Sequence, residues 1–238
     1  MLENIDFKQI LVIDIETVPQ YPSYDDVPSH FTELWEQKTL YHRKDYESPS
    51  EYYARAGIWA EFGKIVCISV GHFTTNNDQT GLRVKSFAGD DELKILKDFI
   101  LLVDKQPSNI MLCAHNGKEF DFPYLCRRML INCLEIPDPL KISGKKPWEV
   151  VHLDTLELWK FGDYKNYTSL NLLAAVFDIP TPKNDISGKD VHHVYWKDKD
   201  LKRIVTYCQK DVITTARLLL KFKCLPLIPD DLIVIIGE

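Results

Sequence analysis

Apolar and polar positions alternate along the chain with two periods, one typical of strands and one typical of helices. Short apolar runs rich in β-branched residues predict strands, and these runs are QILVIDIE at residues 9–16, KIVCISVGHF, GLRVKSFAG, NIMLCAHN and VVHLD. Apolar residues at helical spacing predict helices, in DDELKILKDFILLVDK, FDFPYLCRRMLINC, SLNLLAAVFDI and DLKRIVTYCQKDVITTARLLLKF. The polar segment TTNNDQT predicts a turn that joins the second and third strands in a hairpin.

This order of elements predicts an α/β protein with a mixed β-sheet flanked by α-helices. The hairpin requires at least one antiparallel strand, whereas the later strands alternate with helices. A chain of 238 residues can bury one substantial core, so we expect a single domain over 1–238. The segment from about 19 to 62 is rich in aromatic and charged residues and closes at Gly63, which predicts a helical insertion in place of a structureless loop.

The composition is that of an ordinary globular protein, with 45% hydrophobic and 27% charged residues. The net charge is -6, so no overall basic field exists to hold a long nucleic acid, and a duplex-coating protein is disfavoured. An enzyme that grips a few nucleotides remains compatible with this charge. Divalent ions bound in an acidic site reverse the local field where a phosphate binds.

The cysteines and the N-terminal segment indicate a reduced, cytoplasmic protein. The six cysteines are scattered without a Cys-x-x-Cys pair or zinc-like Cys/His spacing. The first residues, MLENIDFKQILVIDIET, lack the basic start and apolar core of a signal peptide. No apolar run approaches the ~18 residues that suggest a membrane span. We therefore expect no membrane partner.

Asp14 and Glu16 stand two positions apart on the first predicted strand, and period-two alternation directs both side chains to one face. Two acids on one face of a buried strand repel each other unless cations neutralise them, and carboxylate oxygens suit Mg²⁺ or Mn²⁺. The alternative is that both acids lie at an exposed strand end.

The segment His115 to Asp121 lies where a predicted strand leads into a helix, a usual position for ligand sites in α/β sheets. Asp121 is a third candidate ligand, although an acid in a first helical turn also favours the helix dipole. Asn116 and Phe120 suit holding and stacking a terminal nucleotide, or serve as a turn residue and a core aromatic.

Tyr207 and Asp211 are four residues apart in the last predicted helix and therefore share one face. Asp211 can bind a metal ion while Tyr207 reaches the same cavity. The alternative is a core tyrosine with a surface acid. His152 and Asp154 are explained equally well as a polar pair at a strand end and are not assigned a catalytic role.

The segments LVIDIETVP, AHNGKEFDFPYL and YCQKDVITTARLL together resemble the three motifs of the DEDDy subgroup of 3′→5′ exonucleases. The similarity is greatest to the proofreading exonuclease of family-B DNA polymerases and its stand-alone bacterial relatives, and it runs from Asp14 to about Phe222. The sister subgroup has a histidine five residues before its last Asp, where this chain has Thr206. The predicted mixed sheet is compatible with the ribonuclease H-like fold that the resemblance implies.

The resemblance implies catalytic roles for Asp14, Glu16, Asp121, Tyr207 and Asp211. The four acids match the ligands of two divalent ions, Mg²⁺ or Mn²⁺, and Tyr207 matches the tyrosine that orients the attacking water. Thr17, Asn116 and Phe120 are the expected substrate-binding residues. The implied activity is removal of nucleoside 5′-monophosphates from a free 3′ end, preferably single-stranded. Two alternatives remain, namely a catalytically silent nucleic-acid-binding domain and a hydrolase of small nucleotides.

Overall fold

A computed structural model describes residues 5–76, 79–181 and 185–237. Its described residues form a six-stranded sheet in the order β5-β4-β1-β2-β3-β6. The strands are β1 (Ile10–Pro19), β2 (Gly63–Asn76), β3 (Gln79–Ala88), β4 (Met111–Ala114), β5 (Leu153–Asp154) and β6 (Ile233–Ile236). Strands β1, β2 and β3 pair antiparallel, whereas β1–β4, β4–β5 and β3–β6 pair parallel. The predicted mixed sheet is confirmed.

Helices cover both faces of this sheet. They are α1 (Ser29–Thr39), α2 (Pro49–Tyr52), α3 (Glu92–Val103), α4 (Asp121–Ile131), α5 (Thr155–Lys160), α6 (Leu170–Val176), α7 (Val191–His193) and α8 (Leu201–Phe222). Short 3-10 turns lie at Phe7–Gln9, Tyr24–Asp26, Tyr53–Ile58, Asp138–Leu140, Pro147–Glu149 and Asp230–Leu232, and a π-helical turn lies at Val194–Asp198. No helix in the described part of the chain is both long and apolar enough to cross a membrane.

The central strand β1 is buried on both faces, and its alternation decides which helices each residue meets. Leu11 and Ile13 pack with the apolar residues of α3 and α4, whereas Ile10 and Val12 pack with α8. Helix α8 starts after Asp200, whose side chain accepts a hydrogen bond from the Arg203 backbone N–H, as an N-cap does. The predicted strand and the predicted long helix are both confirmed.

The hairpin differs from its prediction. TTNNDQT was expected to form the connection, but β2 continues to Asn76 and β3 begins at Gln79, with Thr75 opposite Thr80. Cross-strand pairing of threonines extends the ladder into the polar segment and shortens the connection to residues 77 and 78, which lie outside the described residues. Strand β6, which continues the sheet past β3, was not predicted.

The segment 19–62 contains α1, α2 and two 3-10 turns, and it has a small aromatic core of its own. Trp35 is fully buried and packs edge-to-face on Tyr53 and Phe62. The 3-10 turn Tyr53–Ile58 docks this segment onto β1 and α4. The hydroxyls of Thr17 on β1 and Tyr124 on α4 both donate to the Gly57 carbonyl, at 2.8 and 2.9 Å. That 1–238 forms one functional domain stays a prediction.

Candidate active site

Asp14 and Glu16 lie on the face of β1 that carries Ile10 and Val12, the face covered by α8. Glu16 is only 7% exposed and Asp14 is half-buried. A register shift follows directly in the pairing with β2, between Glu16 and Thr17. Such irregularities redirect side chains and are frequent beside active sites. The structure therefore places both acids inside the fold, and the exposed strand end considered as the alternative is excluded.

Asp121 reaches β1 where its partner strand stops. Strand β4 pairs with β1 as far as Cys113 opposite Val12, so the next stretch of β1 has an open edge. The Ile15 backbone N–H donates to Oδ1 of Asp121 at 3.2 Å. The carboxylate thus takes the place of the missing strand, which holds the first residue of α4 beside Asp14.

Helix α8 brings Tyr207 and Asp211 to the same region on the face that carries Asp14 and Glu16, opposite to α4. Burial raises the pKa of Asp211 to about 6, while Tyr207 and Lys210 oppose this shift. Burial also raises the pKa of Tyr207 well above the ordinary phenol value, and the charges of Asp211 and Glu16 raise it further. Tyr207 therefore stays a neutral phenol that can donate a hydrogen bond.

The four carboxylates perturb one another. Burial raises the pKa of Asp14 well above its usual range, and the charges of Asp211 and Asp121 raise it further. Burial, followed by the charge of Asp14, raises the pKa of Glu16 in the same way. Burial raises the pKa of Asp121 to about 7. Groups with these shifts are ionised together only when cations offset their desolvation and repulsion.

Two features show that this donor set suits a divalent cation. Oδ2 of Asp14 is buried and has no hydrogen-bond partner within the described residues. Oxygen atoms of Asp14 and Glu16 and the sulfur of Cys208 lie within 4.8 Å of one another. Asp121 and Asp211 stand outside this tight set. Cys208 is not predicted from the sequence, because only folding brings α8 against β1.

Asp154 fixes the backbone of the loop that precedes Asp121. Its carboxylate accepts hydrogen bonds from the backbone N–H groups of Asn116 and Lys118, both at 3.0 Å, and also caps α5. Asn116 adopts a positive φ of 66°, which an Asn tolerates better than most residues. Asp154 is therefore a positioning residue. Asp154 reaches this loop because β5 pairs with β4. The local sequence around His152 and Asp154 does not indicate that pairing.

The expected substrate-binding residues occupy different surroundings. Asn116 lines a cavity of about 440 Å³ together with Lys118, Lys145, Lys160 and Tyr164, among others, a volume in the range of small-ligand sites. Phe120 is half-buried, with its ring 5.3 Å from that of Tyr124. The Thr17 hydroxyl donates a hydrogen bond to the Gly57 carbonyl. Substrate binding by these three residues stays a prediction.

The fold and the acids at its centre define the ribonuclease H-like class. Residues 58–226 match a family model described as a predicted 3′-5′ exonuclease related to the exonuclease domain of PolB. The match covers more than half of the chain, which therefore belongs to this family, and the resemblance inferred from the motifs is confirmed. Asp121, Tyr207 and Asp211 lie inside the match, whereas Asp14 and Glu16 precede it. No curated protein matches the chain.

Family membership implies a nuclease that acts on nucleic acid and uses divalent ions. The acidic cluster around Asp14 offers such ions a set of closely spaced ligand atoms.

Proposed function

We propose that the protein is a 3′→5′ exonuclease that removes nucleoside 5′-monophosphates from single-stranded nucleic acid. The convergence of Asp14, Glu16, Asp121 and Asp211 from β1, α4 and α8 carries this proposal. One divalent ion, Mg²⁺ or Mn²⁺, would be held by Asp14, Glu16 and Asp211, and a second chiefly by Asp14 with Asp121. The ions would supply Lewis-acid activation of water and stabilisation of the departing oxygen.

The chain's own residues would do the positioning. Tyr207 keeps its proton because burial and the neighbouring carboxylates raise its pKa. Its hydroxyl would therefore orient the attacking water as a neutral hydrogen-bonding group. That water would attack the terminal phosphorus in line with the 3′ oxygen of the preceding nucleotide. This oxygen would leave with the shortened strand, and the nucleoside 5′-monophosphate would depart.

Three features support a single-stranded end as the substrate. Glu16 and Asp121 are buried and Asp14 and Asp211 are half-buried, so the terminal phosphodiester would have to approach below the protein surface, where a closed duplex fits poorly. The cavity beside Asn116 is lined by Tyr164, which suits a stacked base, and by three lysines, of which Lys118 and Lys160 are paired with Glu157 and Glu119 and Lys145 has no ion pair within the described residues. The overall charge of -6 favours local contacts with a few nucleotides over extended backbone binding.

End-labelled strands test the proposal. A 5′-labelled single strand incubated with Mn²⁺ should shorten one nucleotide at a time, and a 3′-labelled strand should release labelled mononucleotide at once. Asp14→Asn, which keeps the side-chain size and removes the charge, should abolish both signals. DNA and RNA strands of one sequence, each single-stranded and as a blunt duplex, give the substrate preference.

Two results would contradict the proposal. Strand binding without any cleavage would indicate a silent binding domain. Hydrolysis of small nucleotides with intact strands would indicate the other alternative.

A further inference from the structure

We propose that Asp14, Glu16 and Cys208 form a binding site for a thiophilic divalent ion such as Zn²⁺. The Cys208 sulfur and one oxygen from each carboxylate lie within 4.8 Å of one another. Hard ions such as Mg²⁺ take oxygen ligands, whereas zinc also takes thiolate. The Cys208 thiol therefore adds a third ligand to the two carboxylates, and this ligand suits zinc but not Mg²⁺.

Helix geometry points Cys208 at β1. Ile204, Cys208 and Val212 follow one another at four-residue steps along α8, and all three are fully buried. The Cys208 thiol donates to the backbone carbonyl of Asp14 at 3.4 Å. The sulfur is thus held against the strand segment that carries the two acids.

One oxygen of this pair of carboxylates lacks the partner that a buried polar atom normally has. Oδ2 of Asp14 is buried without a hydrogen bond. Glu16, which is 7% exposed, offers a further carboxylate oxygen within 4.8 Å of the ligand atoms of Asp14 and Cys208. Buried polar side chains are usually paired, and unpaired ones call for a ligand or ion. A cation between these groups would satisfy both acids.

A tetrahedral ion requires the three ligand atoms to approach one another slightly. Zinc bonds of about 2.0 Å to oxygen and 2.3 Å to sulfur require neighbouring ligand atoms about 3.3–3.8 Å apart. The three atoms lie within 4.8 Å of one another, so their separations have to decrease by at most about 1–1.5 Å, which small rotations of the Asp14 and Glu16 side chains supply. Three protein ligands leave one coordination position for water, the number found in catalytic zinc sites.

This zinc site would share Asp14 and Glu16 with the ions of the exonuclease reaction, so zinc would displace Mg²⁺ and inhibit cleavage. The inhibition rests on the proposed function, whereas binding of the ion does not. The test therefore measures binding alone, without nucleic acid.

Cobalt(II) is the probe, because its bond to sulfur gives a near-ultraviolet charge-transfer band. Cys133 and Cys224 are exposed thiols that would bind cobalt themselves, so the parent protein is the full chain with Cys133→Ser and Cys224→Ser. Titration of the metal-free parent should produce the band, and added Zn²⁺ should abolish it. Cys208→Ala should lose the band and weaken zinc binding at least about tenfold, since even outer ligand partners contribute this much.

Cys113→Ala is the matched control, because Cys113 is equally buried but lies on β4 outside the cluster. It should keep the band. Absence of the band in the parent protein, or its persistence in a folded Cys208→Ala variant, would overturn the proposal.

X-ray absorption of the zinc-loaded parent gives an answer that does not depend on the variant folding. One sulfur at about 2.3 Å is expected, and a shell of oxygen and nitrogen alone would refute the site. Mg²⁺-dependent cleavage is assayed separately, so failure of zinc binding and failure of the exonuclease activity remain distinct results.

Discussion

Asp121→Asn should stabilise the metal-free protein while abolishing cleavage. The carboxylate is 4% exposed, and burial raises its pKa from 3.8 to about 7. A shift of about three units corresponds to about 4 kcal/mol for ionising this group in the folded protein. This value is an upper limit, because a proton on Asp211 relieves part of the repulsion that raises the pKa of Asp121. Asparagine keeps an oxygen that can accept the Ile15 N–H.

The stabilisation should depend on pH in a defined direction. The folded carboxyl binds its proton more tightly than the unfolded one, so the cost of ionisation is absent below pH about 4. It grows as the pH rises and is complete above pH about 7, the folded pKa. The gain from Asp121→Asn should therefore be up to about 4 kcal/mol near pH 8 and about 1–2 kcal/mol near pH 5.

Urea unfolding followed by circular dichroism, in chelator at both pH values, measures this gain. Effects of the substitution on packing are common to both pH values, so the change in the gain isolates the charge. An equal gain at both pH values, or a loss of stability near pH 8, would refute the electrostatic reasoning. Wild-type cleavage by the variant would remove Asp121 from the site.

Three further predictions concern chemistry and packing. Tyr207→Phe should slow single-turnover cleavage by about 10²–10⁴-fold, because the hydroxyl that orients water is lost, while the affinity for the strand measured in Ca²⁺ should not change. A wild-type cleavage rate would make Tyr207 a packing residue. Cleavage should require Mg²⁺ or Mn²⁺, stop with chelator and fail with Ca²⁺, and zinc-specific activity would count against the assignment. Gly117→Ala should cost about 1–3 kcal/mol in denaturant unfolding, because its Cβ would lie 2.4 Å from that of Ala114, whereas Gly89→Ala, with its nearest atom at 3.9 Å, should be nearly neutral.

Local periodicity predicted the parts of the site that depend on one element. Alternation along β1 predicted that Asp14 and Glu16 share a face, and four-residue spacing predicted the same for Tyr207 and Asp211. Both predictions agree with the structure because strand and helix geometry fix them within a few residues. The family motifs then related these elements to one another.

Features that depend on distant pairing were not predicted. Cys208 meets Asp14 only because α8 packs across β1, 194 residues away in sequence. Asp154 holds the Asn116 loop only because β5 pairs with β4. The polar ends of β2 and β3 were assigned to a turn, since propensity alone does not report cross-strand pairing.

The proposed reaction depends on two ions that the four acids hold together at the scissile phosphate. Anomalous diffraction from crystals grown with Mn²⁺ and a nucleoside 5′-monophosphate tests it most directly. We expect two manganese peaks about 3.5–4 Å apart, both in contact with Asp14, one also bound by Glu16 and Asp211 and the other approached by Asp121. A single peak with nucleotide present, or manganese away from Asp14, would contradict the account.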